Sequence, residues 1–261
     1  MKDIQKNKPV REIDINMVGV KNLKAPLVVI DKKNKCQETV GSINIFVNLP
    51  RHYRGTHISR FIEVLNRYTK KTLTVEVLDK LTLEILRILE AEKSRIEIEF
   101  PYFILKSSPI SKKKSLLDYQ CKIIRIANRN IKEIEHIIQV EVPITTVCPC
   151  SKAISKYGAH NQRGYVTVSM KLNKFFWIEE VIDIIEEEAS CDIYPLLKRE
   201  DEKYVTEKAY ENPKFAEDIV RDVSYRLEQD KRIDWFKVEC ENQESVHNHN
   251  VYAKIENRLP D

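Results

Sequence analysis

Thr74-Val-Glu-Val-Leu-Asp-Lys-Leu-Thr-Leu-Glu-Ile-Leu-Arg-Ile-Leu-Glu-Ala91 runs, across a short polar break, into Arg95-Ile-Glu-Ile-Glu-Phe-Pro-Tyr-Phe103. In the first segment Val75, Leu78, Leu81, Ile85, Leu86 and Leu89 recur at spacings near 3.6, the period of an amphipathic helix. In the second, Ile96, Ile98 and Phe100 alternate, the period of a half-buried strand. A long helix feeding a strand argues for helices laid on one face of a sheet.

Working outward, the same signals recur on both sides. Strand candidates precede the helix at Pro26–Ile30 and Ser42–Val47, and a shorter helix is expected over Ser59–Tyr68. Gln120–Ala127 reads as the next strand. The second half gives strands at His136–Pro143 and Tyr165–Leu172, then helices at Trp177–Glu188 and Asn212–Leu227, with Pro213 in the expected first turn. Strands at Trp235–Glu241 and Val251–Glu256 close the chain. The order is β-β-α-α-β-β, given twice, which predicts an α+β fold with antiparallel strand pairs. No residue-level repeat supports the duplication, so one irregular α+β domain is the alternative. The expected organisation is an arm over residues 1–24, a first module over 25–130 and a second over 131–261. Lys112–Lys114 reads as a solvated loop, Glu186–Glu188 as an exposed helix end and Lys198–Lys203 as solvated surface.

Composition narrows the function classes. The 261 residues are 42% hydrophobic and 32% charged, with 44 basic and 40 acidic side chains and a net charge of +4. That balance gives no electrostatic case for nucleic acid. No apolar run reaches the roughly 20 residues that span a bilayer, and no apolar leader follows Met1. Six sparse cysteines fit a reduced, cytoplasmic setting. Five glycines leave no glycine-rich phosphate loop.

Chemistry concentrates in Val142–Gly164. Cys148-Pro-Cys150 is followed ten residues later by His160, and thiolate with imidazole is the ligand pair of a zinc-like ion. The same groups serve as nucleophile and proton carrier. The bland alternative is two half-buried structural cysteines and a surface histidine. The second cysteine pair or histidine pair of a closed zinc site is missing, so a metal here would occupy an open site. Tyr157-Gly158-Ala159 supplies a turn that can bring His160 back toward Cys148.

His247 and His249, beside Glu244, enter one site or form a polar hairpin loop. Glu202 follows the apolar anchor Tyr194–Leu197 and offers a carboxylate ligand. Glu217 sits on a helix, where a solvent-facing carboxylate is the default. Arg54, His57 and Arg60 gather at a helix start, as a triphosphate site or a basic surface turn.

Several motifs stand in one order: Arg54-Gly-Thr-His-Ile-Ser-Arg-Phe61, Val142-Pro-Ile-Thr-Thr-Val-Cys-Pro-Cys-Ser-Lys152, Tyr157-Gly-Ala-His-Asn-Gln-Arg163, Tyr194-Pro-Leu-Leu-Lys-Arg-Glu-Asp-Glu-Lys203, Asn212-Pro-Lys-Phe-Ala-Glu-Asp218 and Glu244-Ser-Val-His-Asn-His249. With Val18-Gly-Val-Lys-Asn-Leu23, they resemble the type IB GTP cyclohydrolase I family from about Ile13 to Glu256. The resemblance implies tandem tunnelling-fold modules, each an antiparallel four-stranded sheet with two helices on one face. It implies a homotetramer with active sites between subunits, no nucleic-acid or membrane partner, and GTP as substrate. The implied reaction gives 7,8-dihydroneopterin triphosphate and formate, the entry to folate synthesis. One divalent ion per site, zinc, manganese or ferrous iron, is implied, with no organic cofactor. Cys148, His160 and Glu202 take the place of the family's metal ligands, and Glu217 that of its guanine anchor. Cys150, Glu244, His247 and His249 take the remaining catalytic places, with His247 as proton carrier. Arg54, His57 and Arg60 are the implied triphosphate contacts. An archaeal-type cyclohydrolase with a cyclic phosphate product, a tunnelling-fold nitrile reductase and a non-catalytic zinc-stabilised scaffold are the alternatives.

Overall fold

Helices α4 (Ile178–Glu188), α5 (Arg199–Glu211) and α6 (Ala216–Glu228) begin in the same way. The carboxylate three residues into each helix accepts the N–H of the residue before it. Trp177 N–H donates to Glu180 at 3.1 Å, Lys198 to Asp201 at 2.8 Å and Phe215 to Asp218 at 3.0 Å. Each bond satisfies a donor that the helix itself leaves open, and places negative charge where the helix dipole favours it.

The computed structural model describes residues 4–257, so 1–3 of the expected arm and 258–261 of the expected second module lie outside it. The fold is α+β. It divides into two compact units, Met1–Pro101 with Lys122–Ile138, and Tyr102–Cys121 with Gln139–Asp261.

The first unit holds β1 (Ile15–Asp31), β2 (Lys35–Leu49), α1 (Ile58–Asn66), β3 (Thr72–Leu73) and α2 (Val75–Ile88). It also holds parts of β4 (Lys93–Ser107), β5 (Lys114–Asn128) and β6 (Ile131–Val147). Its strand order is β3-β1-β2-β4-β5-β6, antiparallel at β1–β2 and β2–β4 and parallel at β1–β3. The helix read from Thr74 is α2, and the Thr74 hydroxyl accepts the Val77 N–H as its cap. Leu78, Leu81, Ile85 and Leu86 are buried, as are Phe61, Val64 and Leu65 of α1 and Ile43, Ile45, Ile96, Ile98 and Phe100 of the sheet. Each such side chain contributes roughly 2 kcal/mol by burial.

β1 starts at Ile15 rather than Pro26, so part of the expected arm is strand. Register shifts between Ile15 and Val18 and between Val20 and Leu23 interrupt its pairing with β2. Bulges break the two-residue alternation, which hides the strand from a periodicity reading.

The second unit holds the other parts of β4, β5 and β6, then α3 (Pro149–Ile154), β7 (Asn161–Leu172), α4, β8 (Cys191–Asp192), α5, α6, β9 (Ile233–Gln243) and β10 (Val251–Asn257). Its order is β4-β5-β6-β7-β9-β10, with β8 beside β6. Val166, Val168 and Met170 of β7 and Phe236, Val238 and Cys240 of β9 are buried with Val181, Ile182 and Ile185 of α4 and Ile219, Val223 and Leu227 of α6.

Three sequence expectations need correction here. The charged run from Lys198 is the start of α5 and is exposed as expected except at Asp201, which is fully buried. Asp201 also accepts the N–H groups of Ile110 and Ser111 and the Ser111 hydroxyl. These bonds outweigh burial and hold its carboxyl well below the usual range. The helix expected from Asn212 begins at Ala216, and Pro213 lies in the link before it. Glu186, expected at an exposed end, is turned inward, where Lys106 and Tyr119 bind it at 2.8 Å each.

Candidate active site

β6 ends at Val147, and the chain turns straight into α3 with Cys148 as the helix cap. Pro149 at the first helical position fixes φ and supplies no donor that would go unmet. The Cys148 sulfur accepts the Ser151 N–H at 3.4 Å. The chain then doubles back. Cys148 N–H donates to the His160 carbonyl at 3.1 Å, and His160 N–H donates to the Ser151 hydroxyl at 3.0 Å. Gly158, at φ +127°, makes the turn, a backbone region that L side chains rarely adopt.

Cys148 and His160 therefore face one cleft, with Gln162, Lys214, Phe215, Glu217, Asn242, Glu244 and His247 among its other walls. The cleft measures about 190 Å³. Lys214 is anchored by its N–H to the Val147 carbonyl, and its ammonium binds Asp222 at 2.6 Å and Glu188 at 3.5 Å. Glu217 is exposed in the first turn of α6. Burial, with the charge of Glu217, pushes the thiol of Cys240 up to about 12. Asn242 is buried beside Gly164, where a Cβ would come within 2.5 Å of the Asn242 amide oxygen. Gly164 is thus what admits that amide to the cleft wall.

Glu244 and His247 lie between β9 and β10. The ring of His249 stacks on that of His247, with centroids 5.1 Å apart and planes at 18°. Cys150 is exposed on α3. Glu202 is exposed in the first turn of α5 and is not part of the cleft lining among the described residues. Its helix is nonetheless seated beside the site, because Val205 and Ala209 pack against Val147, Ala159 and Cys191. Val147 and Ala159 directly precede Cys148 and His160.

The donor chemistry suits a borderline-soft divalent ion, since a thiol and an imidazole share one wall. Among the described residues, no three histidine, cysteine or acidic side chains converge closely enough to enclose one. The chain thus brings Cys148, His160, Glu217, Glu244 and His247 together, and leaves Glu202, Cys150 and His249 outside the cleft lining. Arg54, His57 and Arg60 belong to the first unit. His57 and Arg60 line a cleft there with Tyr53, Thr56 and Glu90, and Arg60 donates to the Ile88 carbonyl at 3.2 Å.

Sequence reasoning missed Gln162, Lys214, Phe215 and Asn242 as site residues. Gln162 and Asn242 are polar positions on β7 and β9, whose buried neighbours carry the alternation. Lys214 and Phe215 stand in the link before α6, inside a motif singled out only for Glu217.

In solved structures the fold is matched by uricase from Arthrobacter globiformis, with TM-score 0.53, 11% identity, and 94% of this chain and 93% of that one covered. A urate oxidase from Bacillus sp. TB-90 matches with TM-score 0.54, 11% identity, and 93% and 99% covered. Identities this low speak for the fold alone. In sequence, the chain is 50% identical over 256 residues to GTP cyclohydrolase FolE2 of Magnetococcus marinus, covering 98% of this chain and 96% of that protein. It is 50% identical over 256 residues to the FolE2 of Nitrosococcus oceani, covering 98% and 95%. Residues 1–253 match the family model for type I GTP cyclohydrolase folE2, and the chain belongs to that family.

Proposed function

We propose that this protein is a GTP cyclohydrolase I that opens the purine of GTP at C8, releasing formate and giving 7,8-dihydroneopterin triphosphate for tetrahydrofolate synthesis. The observation that carries this reading is one cleft lined by Cys148, His160, Glu217, Glu244 and His247. The thiol and imidazole suit an ion, the carboxylate of Glu217 suits guanine, and His247 supplies an imidazole for proton transfer.

Glu217 accepts two parallel hydrogen bonds from N1–H and the exocyclic amine of guanine. Cys148 and His160, with Glu202 from α5, would hold a divalent ion: zinc, manganese or ferrous iron. When bound, the ion acts as a Lewis acid that activates water and polarises the substrate. His247 carries protons to the ring nitrogens as the ring opens. Glu244 orients that imidazole, and Cys150 and His249 complete the surroundings. Arg54, His57 and Arg60 take the triphosphate, for which guanidinium forks are suited.

We further propose that the fold is a tandem of tunnelling-fold modules, over 25–130 and 131–261, assembled as a homotetramer with sites shared between subunits. The cleft of one chain, about 190 Å³, is smaller than the roughly 300–1,000 Å³ of ligand pockets, which supports a site completed by a neighbour. Among the described residues no helix is long and apolar enough to cross a membrane, and Cys36, Cys121, Cys148, Cys150, Cys191 and Cys240 are free thiols. The free thiols support a cytoplasmic setting. Relatives matched along nearly their full length carry the name FolE2, which disfavours the nitrile reductase and cyclic-phosphate alternatives.

The test is to incubate metal-free protein with GTP, with and without manganese or zinc, and to read neopterin fluorescence after oxidation. Product is expected with metal only. Cys148→Ala and His160→Ala each lose roughly three orders of magnitude in turnover with an unchanged circular dichroism spectrum, since several kcal/mol rest on the ion. No product with any of the metals, or near-normal turnover in either variant, contradicts the assignment.

A further inference from the structure

His160 has two ring nitrogens, and only an unprotonated one can bind a metal. The group that faces Nδ1 bears on which one that is. Gln162 is buried on β7, two residues beyond His160. Its amide nitrogen donates to the hydroxyl of Thr146 on β6 at 2.9 Å, and Thr146 is fully buried. In this orientation the amide oxygen lies 3.0 Å from His160 Nδ1. An amide oxygen only accepts, so with the amide turned this way Nδ1 carries the proton and Nε2 the lone pair.

We propose that Gln162, buried beside Thr146, is a positioning residue that locks His160 in its Nδ1–H tautomer and so presets Nε2 as a metal donor. This rests on the proposed role of His160 as a ligand. The lock is built before any ion arrives, because all of its bonds are within the protein. Ligating histidines generally need such a partner on the far nitrogen, which fixes the ring and raises its basicity. The Ser245 hydroxyl also approaches Nδ1, at 3.4 Å. A hydroxyl can donate or accept, so it imposes no tautomer. Were Gln162 present only to fill space beside Thr146, an apolar side chain of similar size would serve.

The experiment combines nitrogen-15 NMR of the histidine rings in metal-free protein at pH 8 with zinc affinity by chelator competition. Wild-type His160 is expected as Nδ1–H. Gln162→Leu is expected to release the ring toward the Nε2–H tautomer that imidazole prefers in water, and to weaken zinc binding about 10- to 100-fold. Gln162→Glu is expected to restore both, since a carboxylate also accepts from Nδ1, and Ser245→Ala to change neither. An Nε2–H tautomer in the wild type overturns the proposal, and that measurement stands even if Gln162→Leu does not fold. Unchanged tautomer or unchanged zinc affinity in folded Gln162→Leu overturns it as well. His160→Ala separates this from the underlying assignment. If that variant binds zinc as the wild type does, His160 is not a ligand, while the tautomer of the metal-free wild type still reports on the Gln162 contact.

Discussion

The backbone N–H of Cys148 donates to the carbonyl of His160 at 3.1 Å, so the two groups proposed as metal ligands are tied directly through main chain. Their separation therefore depends on the turn between them, and that turn depends on Gly158. A Cβ at Gly158 meets nothing within 4 Å, so the cost of adding one is conformational rather than steric. Gly158→Ala is expected to lose about 1–2 kcal/mol in denaturant unfolding and to weaken zinc binding. Wild-type stability and affinity in this variant would show that the loop does not set the pair.

Glu217 is expected to read the guanine edge. Glu217→Gln keeps the size but replaces an acceptor with a donor, which costs a charge-assisted bond of roughly 1.5–3 kcal/mol. Steady-state kinetics should show kcat/KM for GTP down about 10- to 100-fold. Preference for GTP over inosine triphosphate, which lacks the exocyclic amine, should fall in parallel. Undiminished discrimination would place guanine recognition elsewhere.

A buried ion cluster holds α4 to the sheet of the second unit. Lys106 binds Glu186 at 2.8 Å and Asp192 at 3.2 Å, with all three side chains largely enclosed. Burial raises the Glu186 carboxyl above its usual range despite the nearby ammonium. Lys106→Met removes the compensating charge and should cost about 3–5 kcal/mol in chemical denaturation. Adding Glu186→Leu should recover part of that loss, because the uncompensated charge is then gone too. A single variant as stable as the wild type would show the cluster to be dispensable.

His136 gives the first unit a pH dependence. Burial, then the charge of Arg125, lowers its pKa to about 3. The folded state thus binds this proton less readily than the unfolded chain, whose histidine titrates near 6.5. The contribution is complete above about pH 6.5 and is lost as pH falls from there toward about 3. It is worth at most about 1.4 kcal/mol per pH unit in that window. His136→Phe should flatten the curve of unfolding free energy between pH 6 and 4, in roughly that proportion. An identical slope in the two proteins would remove His136 as its source.

What the sequence discloses depends on which force shapes each element. α2 is legible because Leu78, Leu81, Ile85 and Leu86 form one apolar stripe, and β7 because Val166, Val168 and Met170 alternate. α5 has no such stripe. Only Asp201 and Ala209 are buried on it, and its start is secured by carboxylate bonds that look like solvated charge in one dimension. Glu186 is hidden for a related reason, since its partner Lys106 lies on β4, far away along the chain. In the site, Cys148, His160 and His247 announce themselves by residue type. Gln162 and Asn242 do not, because glutamine and asparagine are common on strands and only the fold turns these two into the cleft.

The central claim is that this chain removes C8 of GTP as formate. The most direct measurement is carbon-13 NMR of the manganese- or zinc-loaded protein given GTP labelled at C8. All of the label is expected to appear as formate, in step with pterin formation, and to stay in GTP when Cys148→Ala is used. Label retained in a purine or pterin product, with the wild-type protein turning GTP over, would contradict the claim.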